Sequence, residues 1–436
     1  MRIQLSRAIL AVAISSTLGV GAAWGQQKQP NWKDRAEYDL VQSIEAEKDT
    51  NKKIELLNQW KEKYPNSDFK VTRLEKYVTT YAAAGNRVKA IEAAQEVLNE
   101  DSKNMTSLYY INLLVVGDQA TPERLEVGEK AAQSLLGNLD SVFAPDKKPA
   151  ATPESGWKQA RLEMEALGHR TLGWVAMQRK NYEAAETDLT QNLKIHPNDA
   201  EASYWLGTVI LAQKKPERQS DALFQFARAA AYDGPGAIEP GMRGKILDYI
   251  TRNYNNYHGT DAEGLKHLLE LAKANAFPPA DFKILSEAEI AEHKDEQLAK
   301  ADPALALWMR LKGALTTAGE GDQYFAHSMK DAVVPPEGQP AFTGTVISQD
   351  GARAAKSVVL GISSPTTPEV TLKFETPIPG NAAPGTKIQF RGTATTFTKE
   401  PFMVTFEAEK KDISGWPAPE PPAKKAPVRK TAKKKE

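Results

Sequence analysis

The sequence predicts two folds in series, an all-α helical solenoid and then a small all-β barrel of five strands. Segments of 34 residues in the first part repeat one another's layout. From Ala341 the apolar residues recur at every second position, where before they recurred at three and four. Pro-rich runs at 140–156 and 334–340 divide the chain, and a charged run closes it. The expected units are a leader (1–25), N-terminal repeats (26–139), a break (140–156) and further repeats with closing helices (157–333). A linker (334–340), the barrel (341–416) and a Pro/Ala/Lys-rich tail (417–436) follow.

The leader is read from Arg2 and Arg7, the apolar stretch Ala8 to Ala23, and the small residues Ala23 and Gly25 around Trp24. These are the parts of an export signal with Gln26 as the mature start. Ser15, Ser16 and Thr17 break the apolar run, which is short for the ~30 Å of a hydrocarbon core. A periplasmic or secreted protein is expected, with no membrane-spanning segment after cleavage. Composition excludes more than it selects. Without cysteine there is no disulfide, thiolate nucleophile or Cys-ligated metal. Basic and acidic residues balance at 56 each. The last twenty residues hold seven Lys/Arg against two Glu, so the rest of the chain is mildly acidic, unlike a nucleic-acid binder.

The best-formed repeat is ALGHRTLGWVAMQRKNYEAAETDLTQNLKIHPND, residues 166–199. Leu172-Gly173 set a large residue beside a small one for close helix approach, Tyr182 follows the tight turn, Ala185 is the small residue of the second helix, and Pro197 stops it. On these residues the segment resembles the tetratricopeptide-repeat (TPR) family, with one departure at Asn192, where the family prefers Ala. A second unit starts at Ala200 with Leu206-Gly207, Ala222, Phe226 and Ala229, shifted by the KKPERQS insertion. Residues 71–104 carry Leu74, Tyr77, Tyr81, Gly85-Asn86, Ala90 and Ala94 at fitting offsets. Residues 34–67 end in KYPNS as a degenerate first repeat, and 105–139 form a less regular pair whose second helix starts at Thr121-Pro122. Residues 241–276 read as another helix pair, with Gly259 a stop and Thr260-Asp261 a cap. Helices opened by the Ser286/Glu289 box and by Asp302-Pro303 are expected to close the solenoid's end.

Five alternating runs follow: Phe342–Val346, Val358–Ile362, Val370–Phe374, Ile388–Phe390 and Phe402–Phe406. Five short strands in about 75 residues suit a closed barrel, and their spacing resembles the OB-fold, in its tRNA-anticodon-binding-like branch. Between Glu337 and Trp416 eight basic residues balance eight acidic ones, which offers no positive groove for a single strand.

No catalytic constellation is legible. The six histidines form no metal-binding pair, and neither a nucleophile elbow nor a phosphate loop occurs, so no enzyme, metal or cofactor is expected. The resemblance to TPR proteins implies instead that the first helix of each repeat lines a groove for extended segments or helices of protein partners. By position that groove would hold Glu75 and Thr79, then Arg170, Trp174, Met177 and Gln178, then Tyr204, Thr208 and Leu211. Trp174 beside Arg170 has the chemistry of an interface anchor, or alternatively of a core aromatic. On the barrel, Lys373, Arg391 and Phe397 are the candidate surface residues. The leading expectation is an exported, non-enzymatic scaffold of the bacterial cell envelope. The alternative is a glycan or peptidoglycan-binding module using barrel and tail, with cell-wall polymer held by the lysines.

Overall fold

The computed structural model describes residues 31–351 and 353–419. The predicted leader and the tail from residue 420 lie outside them. The chain divides into two compact units, one ending at Ser286 and the other beginning at Glu287.

The first unit is helical, with α1 (Arg35–Ala46), α2 (Thr50–Lys63), α3 (Lys70–Ala83), α4 (Arg87–Glu100), α5 (Met105–Val115) and α6 (Pro122–Val142). It continues through α7 (Glu154–Gln178), α8 (Tyr182–Ile195), α9 (Ala200–Ala212), α10 (Gln219–Ala231), α11 (Pro240–His258) and α12 (Ala262–Ala274). Local chemistry sets the helix starts. Asp34, Asp49, Asn86, Asn104, Thr121, Asn181, Asp199 and Asp261 each accept a first-turn N–H through the side chain. The predicted close approach at Gly173 is present: a Cβ there would lie 2.7 Å from Leu189 Cγ and 3.1 Å from its backbone nitrogen. That contact lets α7 and α8 pack backbone to side chain, which only glycine permits.

Consecutive helices from α1 to α11 pack on one another, α3, α5, α7 and α9 also touch in turn, and α12 packs on α10. Two apolar clusters fill this unit, one from Val41 to Met164 and one from Val115 to Ile284. The Pro-rich break at 140–156 does not split them. The Phe143 and Trp157 rings stand 4.7 Å apart and Trp157 Nε1 donates to the Phe143 carbonyl at 3.1 Å, so the loop between α6 and α7 is closed on itself.

Buried polar side chains tie down the helix ends. Arg73, on α3, donates to the Tyr64 carbonyl at 2.7 Å, where α2 ends. Arg228, on α10, donates to the carbonyls of Ala272, Lys273 and Asn275 at 2.8–3.2 Å and also to that of Pro197. Gln225 Nε2 reaches the Ala276 carbonyl, the Ser220 hydroxyl accepts from the Ile284 amide, and Phe224 meets Phe282 edge-on at 5.1 Å. The segment 275–285 is thus laid along α10, and His258 Nδ1 holds its last carbonyl, that of Leu285, at 2.7 Å. This segment and α12 cover α10.

The helices expected to close the array belong elsewhere. In the second unit α13 (Glu287–Ala301), α14 (Pro303–Thr316) and α15 (Gly321–Tyr324) precede strands β1 (Val333–Val334), β2 (Phe342–Asp350), β3 (Ala354–Gly361) and β4 (Val370–Pro379). Strands β5 (Lys387–Phe390), β6 (Gly392–Lys399), β7 (Phe402–Ala408) and β8 (Ile413–Ser414) complete it. Trp308, Leu311 and Leu315 of α14 sit in the core formed by Phe342, Phe390 and Phe406, so this helix plugs the sheet.

The closed barrel of five strands is also revised. The sheet has eight strands in the order β1-β6-β7-β4-β3-β2-β5-β8, a mixed, curled half-barrel in which β4 and β7 run parallel. The extra strands have physical reasons. Only Arg391 separates β5 from β6, so one bent segment pairs with β2 on one side and with β7 on the other. The two-residue edges β1 and β8 are too short to show a period.

A buried ion pair fastens α14 to the sheet. Glu369 is 1 % exposed and accepts from Lys312 Nζ at 2.5 Å, from the amides of Ile362 and Ser363 at 2.9 and 2.6 Å, and from the Ser363 hydroxyl. Burial alone would raise its carboxyl, but these donors outweigh it and hold the pKa below the usual range. A lowered folded value means stability present above the unfolded pKa of ~4.3 and lost as pH falls through the folded one. Denaturant titrations from pH 7 to pH 3 should show the second unit weakening only below about pH 4.3, and Glu369→Gln should flatten that acid limb while lowering the neutral plateau.

Candidate functional site

The helices that touch in turn, α3, α5, α7 and α9, are the first members of their hairpins, the ones the repeat pattern assigns to a binding face. Their turns follow one plan. The residue fourteen after the start of the unit takes a left-handed backbone in all three legible repeats: Gly85 at φ 73°, Lys180 at φ 61° and Lys214 at φ 56°. In two of them an Asn cap of the same geometry follows, Asn86 (φ −84°, ψ 78°) and Asn181 (φ −86°, ψ 78°).

The structure gives the predicted groove residues different roles. Glu75 accepts from Asn104 Nδ2 at 2.7 Å, and Arg170 Nε donates to Asp199 Oδ2 at 2.9 Å. Both pairs are 29 residues apart, and in both the partner is the N-cap of the next first helix, α5 or α9. These two residues are therefore staples between successive repeats. Arg170 is further spoken for by Glu201 at 2.5 Å and by the Trp205 ring, 4.6 Å beneath its guanidinium. Asn192, the departure from the small-residue position, joins the same hub: its Nδ2 donates to Asp199 Oδ2 at 3.1 Å.

Trp174 is 4 % exposed and lies in the core with Val175 and Leu189, so the supposed Arg170–Trp174 anchor is a staple beside a core aromatic. Met177 and Tyr204 are half-buried against the same core, Tyr204 edge-on to Phe226 at 5.7 Å. Gln178 is exposed, and the half-buried Thr79 and Thr208 turn their hydroxyls to their own helices at 3.1 and 2.9 Å. Leu211 lines a cavity.

On the sheet, Lys373 is exposed and stands between Ser357 and Glu407 across the strands. Arg391 is not free, since its guanidinium donates to the carbonyls of Pro335 and Pro336 at 2.9 and 2.6 Å and to that of Gln339. Phe397 is also engaged, with Phe325 and Phe402 rings 5.6 and 6.0 Å away.

Sequence reading named no groove residue on α5, the first helix of the 105–139 pair. Adding the 34-residue period to Glu75 gives Tyr109, which lies edge-on to Tyr110 at 5.3 Å. Burial pushes the Tyr77 and Tyr109 phenols up to about 12. Two cavities flank these helices. One of about 450 Å³ lies among α4, α5 and α6, with Leu98, Leu108, Ile111 and Val127 in its wall and Glu123 and Glu126 at its rim. The other, about 310 Å³, lies at the turn between α9 and α10. Among the described residues no group of three His, Asp or Glu is arranged to hold a metal, and no helix is long and apolar enough to cross a membrane.

The Asp199 hub makes a testable point. Asp199→Ala removes the cap of α9 and two side-chain partners at once, and should cost about 1–3 kcal/mol of first-unit stability. Asp199→Asn, which can still cap, should cost less. Urea unfolding with amide exchange over residues 200–203 reads both.

No known family's sequence profile matches the chain. No curated protein matches it either. Among solved structures, a tetratricopeptide repeat protein from Parabacteroides merdae is similar at 14% identity and a TM-score of 0.29, over 55% of this chain and 99% of that one. A likeness that low carries no argument, and the repeat reading rests on the hairpins and staples themselves.

Proposed function

We propose that this chain is a non-enzymatic scaffold, exported to the cell envelope, whose TPR-like array holds extended segments or helices of protein partners on the face of α3, α5, α7 and α9. The observation that carries the reading is the staple repeated at one offset, Glu75 to Asn104 and Arg170 to Asp199. It locks α3 to α5 and α7 to α9 and so presents pre-organised pairs of first helices, which lowers the ordering cost of binding. Thr79, Gln178, Tyr204 and Thr208 are the side chains left to meet a partner there. Export rests on the leader pattern of residues 1–25. In the second unit, the path β2-β3-β4, with β7 parallel to β4 and β5 returning to β2, supports reading its connectivity as OB-like.

A photo-crosslinking residue placed at Thr79 or Thr208 should give protein adducts in cells, while the same residue at Lys89 on α4 should give few. Equal yields at all three sites would overturn the reading. The lysine-rich tail favours cell-wall polymer as a secondary contact. Co-sedimentation with peptidoglycan that persists after deletion of 417–436 would remove that role.

A further inference from the structure

The cavity of about 310 Å³ lies at the end of α9, beside the short turn Pro216–Arg218, the start of α10 and Tyr257 of α11. Its floor is apolar, from Ile210, Leu211 and the Tyr257 ring, and its charged lining is Lys214, Lys215 and Arg218 with no carboxylate among them. The three cations are not equivalent. Arg218 is held by Asp221 at 2.6 Å and Glu186 at 2.8 Å, and Lys215 reaches Glu183 at 3.5 Å. Lys214 is exposed and makes no ion pair among the described residues.

Lys214 also occupies the left-handed turn position, at φ 56°, where a side chain is strained relative to glycine. The repeat before it does the same with Lys180, again exposed, while the 71–104 unit uses Gly85. Two successive turns thus hold a lysine in a backbone state that glycine would adopt without strain, and such persistent strain points to a use for the side chain.

We infer that this cavity docks an acidic partner segment carrying one apolar side chain. The apolar group seats against Leu211 and Tyr257, and flanking carboxylates meet Lys214 and Lys215, with Lys180 available one repeat along. The volume, at the small end of ligand sites, suits an anchoring side chain. The site lies at the turn edge, not on the stapled helix face, and does not depend on the reading of that face.

The test uses the chain from residue 26 and a fluorescein-labelled nonapeptide with Leu at its centre and Glu or Asp at the other eight positions. Anisotropy should show saturable binding that weakens at least tenfold in 0.5 M salt, with Gln/Asn replacing the acids, or with Ala replacing the Leu. Lys214→Glu should weaken it at least tenfold. Lys214→Gly should also weaken it while leaving or raising thermal stability, which separates lost charge from misfolding. Lys89→Glu, at an exposed position on α4, should leave it unchanged. No binding up to 1 mM peptide, equal binding of the amide peptide, or indifference to Lys214→Glu overturns the proposal. So does sedimentation with anionic phospholipid vesicles without peptide binding.

Discussion

Replacing Arg228 by Ala should cost the first unit about 3–5 kcal/mol, because several buried carbonyls lose their shared donor at about 1–3 kcal/mol each. Arg228 is 3 % exposed, and its guanidinium serves carbonyls at the end of α12 and at Pro197. Without it these acceptors lose a charge-assisted donor, each such bond being worth about 1.5–3 kcal/mol, and water cannot replace it without opening the packing. Arg228→Lys should recover only part, because one ammonium cannot span the acceptors that a planar fork does. Circular dichroism during thermal unfolding gives the size, and exchange of the amides in 262–285 shows where the loss begins. A shift under about 1 kcal/mol would mean that the segment over α10 is held by its apolar contacts alone.

Trp308→Ala should destabilise the second unit by about 3–5 kcal/mol and leave the first unit's transition in place. The ring is fully buried against Phe342 at 5.3 Å and Phe402 at 6.1 Å. No neighbour can fill the space, since Phe342 is itself fixed between Phe390 and Phe406. Calorimetry separates the two transitions. If the variant lowered the first one instead, α14 would belong to the helical array as its sequence position suggested.

That misplacement shows what sequence alone could resolve. The helices of the repeats were legible because their caps and small residues have local causes, as at Asn181, Gly173 and Ala185. Which core a helix serves is a long-range fact, and Trp308 reads the same whichever apolar surface receives it. Strand β6 was lost because Thr393, Thr395 and Thr396 hide its alternation, with Ala394 as its one fully buried apolar side chain. Of the candidate site, the residues were in place but their partners were not visible. Arg170 and Glu75 look like free charged positions until the N-cap 29 residues later is seen beside them. Trp174 was ambiguous for a simpler reason, since an aromatic on a repeat's first helix can turn to either side of it.

The segment laid along α10 has a mechanical consequence. Tension entering the first unit at Ser286 meets no slack, because the Leu285 carbonyl is hooked by His258 and the Ile284 amide by Ser220. The load passes sideways into α10 through Ser220 and into α11 through His258, and must shear those two bonds together with the Phe224–Phe282 contact before any residue pays out. The pull is shared between two packed helices rather than borne by the chain end alone.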